Sequence, residues 1–190
     1  MTDIPSTRGA TTLWIMVLTA ASMFSTWALA CMTPVAALAA LAATHMRQRD
    51  GIVLMAVTWA VSQGVGLGIL HYPHDAKTIE WGVALGLAAV AAVCGGYAAL
   101  GASRATSLPA RLALAFVAAF VAFKLVLLAG DVVIGGSFAS TVAPKLLLKQ
   151  IPREAGITVA LLVLYRGLVA IGLPAASAPA RVDARGTALA

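Results

Sequence analysis

The sequence predicts an all-α membrane protein: six transmembrane helices, both termini on the cytoplasmic side, packed as a single bundle. Three observations predict it. The chain of 190 residues is 61% hydrophobic and only 11% charged, with a mean hydropathy of +0.95; soluble domains carry about 25% charged residues. Several windows close to 20 residues long are almost free of charge, the length that crosses a hydrocarbon core of roughly 30 Å. The cations, finally, divide unevenly between the faces of a six-span arrangement. One face carries Arg8, Arg47, Arg49, Arg104, Arg111, Arg181 and Arg185, the other Lys77, Lys145, Lys149 and Arg153. Seven against four places the first set in the cytoplasm. If the second helix failed to cross, every later loop would change sides and the asymmetry would break up.

The elements follow in order. The start of the chain holds Asp3 and a single arginine, and no small-residue cleavage site follows a short apolar run. That favours an uncleaved first helix, 12–30, over a signal peptide. Pro34 divides the apolar stretch 11–44 and leaves a second helix at 33–45. Its length, roughly 20 Å at 1.5 Å per residue, is short for a span. It must thin the bilayer, be shielded by its neighbours or start deep in the leaflet. Its run Ala36-Ala37-Leu38-Ala39-Ala40-Leu41-Ala42-Ala43 permits the close backbone approach by which membrane helices associate. Residues 46–50 read as a turn with Arg47 and Arg49, then come a third helix at 51–70, a fourth at 79–100 and a fifth at 110–128.

Residues 130–156 are long for a connection, and such segments are usually functional or disordered. Val132-Val133-Ile134 and Leu146-Leu147-Leu148 argue against disorder, while Gly135-Gly136-Ser137, Pro144 and Pro152 mark turns. A ligand-covering lid, a re-entrant arm and a surface helix with Lys145 and Lys149 on one side all fit. The sixth helix is expected at 157–173. The tail 174–190, rich in Ala, Pro and Arg, is expected to be disordered.

Coordinating chemistry is densest between His71 and Trp81, which hold two of the three histidines. Pro73 keeps the start of this stretch out of helix. His71, His74 and, from the turn after the first helix, Cys31 are good ligands for a soft or borderline transition metal. The same residues also suit plainer roles, the histidine loop at the headgroup level and Cys31 as a small apolar residue. Cys31 and Cys94 form no C-x-x-C pair, which excludes a dithiol redox centre and a ribbon-type zinc site. The net charge of +6 is explained by orientation in the bilayer rather than by nucleic acid.

Within the helices Gln63, Lys124 and Arg166 are costly in apolar surroundings. Lys124, seven residues before Asp131, can snorkel outward on the same face. Gly64, Gly66 and Gly68 suit close packing or a broken helix end beside a ligand. Gly82 and Gly86 read as a helix contact, and Trp14, Trp27 and Trp81 as interfacial aromatics. No Ser-x-x-Lys, no His-Glu-x-x-His and no phosphate-cradling glycine loop is present. The chain is also short for a transporter built on two inverted repeats.

Pro34 after the first helix, Ser62-Gln63-Gly64-Val65-Gly66 leading into Leu70-His71-Tyr72-Pro73, and Arg153 near the end of the fifth loop together carry a resemblance. As an architecture of six helices the chain resembles a substrate-binding S-component of the energy-coupling-factor transporters, and within them the solitary cobalamin-transporting branch, the BtuM family. The resemblance implies a protein of the bacterial inner membrane that takes up cobalamin. Loops one, three and five would converge at the periplasmic face, and an ATPase module is a possible partner through small-residue pairs such as Ala36 and Ala40. In that branch the third loop is expected to present a cysteine to cobalt, and here there is none. Either His71 or His74 takes that part, or Cys31 reaches in, or the ligand differs. Tyr72, Asp75, Gln150 and Arg153 would meet the amide rim of a corrin. The alternatives are transport of a bare cobalt or nickel ion by the same histidines, an intramembrane enzyme acting on a lipid or quinone around Lys124 and Arg166, and a structural subunit.

Overall fold

The computed structural model describes residues 7–28, 34–136 and 141–176, and among these every regular element is helical. The helices are α1 (Thr7–Ala28), α2 (Val35–His45), α3 (Gln48–Gly64), α4 (Ala76–Ala102), α5 (Leu108–Gly130) and α6 (Pro144–Ala170). α3 and α5 each run on into a single π turn, Val65–Ile69 and Asp131–Gly135.

Local chemistry explains where several helices begin and end. α4 starts three residues before the expected position because Asp75 caps it, accepting a hydrogen bond from the Thr78 backbone N–H at 2.8 Å. α5 begins at Leu108 with Pro109 in its first turn, where a missing N–H costs nothing. The turn expected at 46–50 shrinks to Met46 and Arg47, because Gln48, Arg49 and Asp50 already belong to α3. Asp50 there lies in the first turn, at the positive end of the helix dipole.

The largest correction concerns 130–156. Its first part is the π extension of α5, and its last part is the opening of α6, which starts at Pro144 rather than near 157. Pro152 does not mark a turn but lies inside this helix. The ring deprives only the Leu148 carbonyl of a donor, and Leu148 is exposed. α6 ends where Gly172 takes φ +105, with the Leu173 N–H reaching the Leu168 carbonyl at 3.1 Å.

The bundle is organised around α2. Every residue from Val35 to Ala43 is buried, with Leu38 wholly so. Helices α3, α4, α5 and α6 all pack against it, so shielding by neighbours is how this short helix is accommodated. Eleven residues rise about 16 Å, half a hydrocarbon core. Small side chains make the approach possible: a Cβ at Gly96 would lie 3.3 Å from the Ala43 Cβ. Without a hydrophobic drive between helices in lipid, such van der Waals contact is what holds them. The predicted Gly82–Gly86 contact is present, Gly82 under the Gln63 amide and Gly86 under the Trp59 indole. The Trp59 Nε1–H donates to the Gly82 carbonyl at 2.8 Å, tying α3 to α4.

Large apolar residues face outward instead. Val53, Val57 and Val61 on α3, and Val117, Val121 and Leu125 on α5, recur every fourth residue and are exposed. An interior of alanine under an exterior of valine and leucine is the pattern of a bundle embedded in lipid, where the surroundings are as apolar as the core. Among the described residues, three helices are long and apolar enough to cross a membrane: Gln48–Ile69, Ala76–Ala102 and Leu108–Gly135. Gly9–Phe24 and Val35–His45 are shorter apolar helices.

At the end of the bundle away from His71, the Tyr97 hydroxyl shares its proton between the Ala42 and Met46 carbonyls, at 3.0 and 2.9 Å. Trp14, expected at an interface, is fully buried there and donates to the Pro174 carbonyl at 2.8 Å. The Tyr165 ring lies 4.5 Å from Trp14 and 4.6 Å from His45, centroid to centroid. Residues 174–176 are thus packed rather than part of a loose tail, and Ala176 is buried. Residues 177–190 lie outside the described residues, as does the expected turn at Cys31.

Candidate functional site

The other end of the bundle gathers the polar groups. α3 widens as it reaches this end: the Leu70 N–H bonds to the Val65 carbonyl at 2.9 Å and the Tyr72 N–H to the Gly66 carbonyl at 3.1 Å. A π turn of this kind often marks a functional position. The Tyr72 ring lies over Gly66, where a Cβ would come within 2.9 Å of its Cδ2. The alternating glycines therefore do two things: Gly66 admits the aromatic ring, while Gly64 and Gly68 face open space.

His71 follows with φ +54, the single described residue other than glycine at positive φ. A left-handed conformation costs an L-residue roughly 1–2 kcal/mol. Glycine is the usual occupant of this place after a helix end, and histidine is among the side chains that tolerate it. The cost is tolerable because the two backbone hydrogen bonds before it and the Asp75 cap after it hold both sides of the loop. His71, Tyr72, Pro73, His74 and Asp75 are all exposed. Of these expected ligand-binding residues, Asp75 is already engaged. The Thr78 hydroxyl, and after it the Thr78 backbone, hold its carboxyl below the ordinary carboxylate value. Lys77 links the loop to the end of α5, its Nζ reaching the Gly135 carbonyl at 3.4 Å.

Beside α5, the start of α6 supplies a second polar group. Glu154 is buried, and its Oε2 accepts the Ala36 backbone N–H at 3.0 Å. Oε1 accepts from the Gln150 Nε2 at 3.0 Å. Glu154 thereby caps α2 from another helix, because Pro34 offers α2 no side-chain cap of its own. One amide N–H of Gln150, a residue expected to face a ligand, goes to this carboxylate, and Arg153 is exposed next to Glu154 in sequence.

Lys124 donates to the Thr141 carbonyl at 3.3 Å and stands 5.7 Å from the centre of the Phe120 ring. Asp131, seven residues on, is buried, and its Oδ2 has no hydrogen-bond partner among the described residues. Arg166 is exposed and follows Tyr165, at the opposite end of the bundle. Lys124 and Arg166 therefore do not form one polar centre.

Among the described residues no three of His, Cys, Asp and Glu gather to hold a metal ion. Cys31 lies outside the described residues, so the set Cys31, His71 and His74 is not brought together here. Sequence reasoning took Asp131 only as a neighbour of Lys124 and gave Glu154 no role of its own. The signal that marks them is the cost of a carboxylate among apolar neighbours. For Glu154 there was a second signal, a buried helix opening on proline with its first N–H groups unmet.

No family model, no curated protein and no solved structure matches this chain. The functional reading stands on the residues and their geometry.

Proposed function

We propose that this chain captures a small ligand at the histidine-loop end of the bundle and carries it across the bacterial inner membrane, and that the ligand is a corrinoid. In this reading the chain is a six-span protein, N-in and C-in, working as an S-component does, with an ATPase module as a possible partner. The histidine loop and the opening of α6 face the periplasm.

The observation that carries the reading is His71: an exposed imidazole held at positive φ in a loop anchored on both sides. Strain of this sort persists where a position has a task. A corrin supplies the equatorial nitrogens of its own cobalt and needs one axial donor, which a neutral imidazole provides. Only the deprotonated ring nitrogen can coordinate. Tyr72 beside it and Arg153, in the opening turns of α6, suit the amide rim. Asp75 and Gln150, already bonded within the protein, act by holding the loop and Glu154 in place. Transport of a bare cobalt or nickel ion is the second reading; it shares the histidines but needs further ligands from the protein.

The test is the absorption spectrum of the purified chain with aquocobalamin. Displacement of the cobalt-bound water by imidazole shifts the visible bands. His71→Ala abolishes the shift and His74→Ala reduces it less, because His74 lies beyond Pro73, further from the helix end. If Cys31→Ala alone changes the spectrum, thiolate is the axial ligand and the assignment to His71 is wrong. If none of the three matters, the corrinoid reading loses its chemical basis.

A further inference from the structure

Asp131 opens the π turn that ends α5, and its own carbonyl accepts the Gly136 N–H at 2.9 Å. The residue is 6% exposed, yet Oδ2 has no partner among the described residues. Gly136 folds back against the carboxyl. A Cβ there would collide with Oδ1 and would come within 2.7 Å of Cζ2 of Trp81. Gly136 has φ −84, so space and not backbone conformation requires glycine at this position. The result is a carboxylate walled by a glycine and an indole.

Neither Lys77 nor Lys124 bonds to it. Lys77 reaches the Gly135 carbonyl and Lys124 the Thr141 carbonyl. A buried carboxylate oxygen left open is destabilising, and where one persists it calls for an explanation. Its position in a π turn, at the end that carries the histidine loop, supplies one.

We propose that Asp131 recognises the captured ligand, its Oδ2 accepting a hydrogen bond from a neutral N–H donor, a primary carboxamide. The inference rests on the capture reading above and adds to it the residue and the chemical group. A cationic donor is disfavoured by the net charge of +6 that the chain already carries. A neutral donor incurs no such repulsion, and the rim of a corrin carries several carboxamides.

The test uses the full chain purified in detergent, with aquocobalamin and with analogues in which one rim carboxamide at a time is hydrolysed to a carboxylate. Wild-type protein binds aquocobalamin, and binds one of the analogues at least tenfold more weakly, since two carboxylates then face each other. Asp131→Leu weakens aquocobalamin binding roughly tenfold or more, the usual loss for a hydrogen bond to a charged group. The same variant raises the unfolding temperature of the ligand-free protein, because an apolar side chain of similar size replaces an uncompensated carboxyl. Asp131→Asn restores binding of the weak analogue, because its amide now donates to the carboxylate. Unchanged affinities in both variants overturn the inference. So does an Asp131→Leu protein that unfolds at lower temperature and binds normally, which would make Asp131 structural. Wild-type protein that binds no aquocobalamin at all sinks the capture reading itself, an outcome visible before any variant is made.

Discussion

Asp75 was expected to touch a ligand and is found capping a helix, and the two roles predict opposite results for one substitution. Hydrogen bonds from Thr78 keep its carboxyl ionised to lower pH than usual, so the folded state binds its proton less readily than the unfolded state. The cap therefore contributes fully above the ordinary carboxylate range, and the contribution is lost as the pH falls through the lowered value. Hydrogen exchange at the first amides of α4, followed from neutral to acid pH, should show protection declining over that window. Asp75→Asn, which caps without ionising, should keep the protection and remove its pH dependence. Loss of ligand binding in that variant with α4 intact would restore Asp75 to the binding residues.

At the scale of elements, α2 is the part most exposed to single substitutions. Buried from Val35 to Ala43, it draws on side chains from other helices for some of its orphan N–H and C=O groups. Glu154 serves the first and Tyr97 the last. Tyr97→Phe removes one neutral hydroxyl proton and should cost about 1 kcal/mol in unfolding free energy. Glu154→Ala removes a charge-assisted partner and leaves buried donors open, so about 2–3 kcal/mol is expected. Thermal unfolding in detergent ranks the two. Equal losses would mean that the Glu154 carboxylate does not carry the start of α2. Gly66→Ala belongs to the same scale, since the new methyl displaces the Tyr72 ring. Its expected effect is weaker ligand binding with little change in unfolding temperature, because the loop rather than the core takes up the displacement.

For the whole molecule the prediction is one of spans and orientation. A six-span arrangement puts 46–50 and 102–109 in the cytoplasm and 71–78 in the periplasm. In a cysteine-free background, a cysteine at Lys77 should react with an impermeant reagent in intact cells. One at Gln48 should react only after the cells are opened. Both sites are exposed, so accessibility within the fold does not bias the comparison. Equal labelling, or labelling at Gln48 alone, excludes this orientation. The segment 131–154 was expected to close over a ligand, but residues 131–135 continue α5, residues 141–142 are helical and residues 144–154 belong to α6. Ligand should therefore slow proteolysis within 136–143 and leave cleavage elsewhere unchanged.

The sequence by itself determined the helical class, the apolar character and the order of the elements. These depend on local composition and on period, and Pro34 and Pro73 act within a few residues of their own positions. It also marked the histidine loop, because clustering of polar residues is visible without a fold. Tertiary structure decided what those groups do. That Val35–Ala43 forms the centre of the bundle follows from the neighbours that cover it, since an alanine run reads alike on a surface and in a core. Glu154 meets Ala36 across a sequence separation of 118, a pairing that no periodicity announces. Pro152 looked like a break because proline breaks helices in water; here it costs one exposed carbonyl its donor, and the helix continues through it. Asp131 needed the fold most of all, because a carboxylate between apolar runs has an open oxygen only once Gly136 and Trp81 have closed around it.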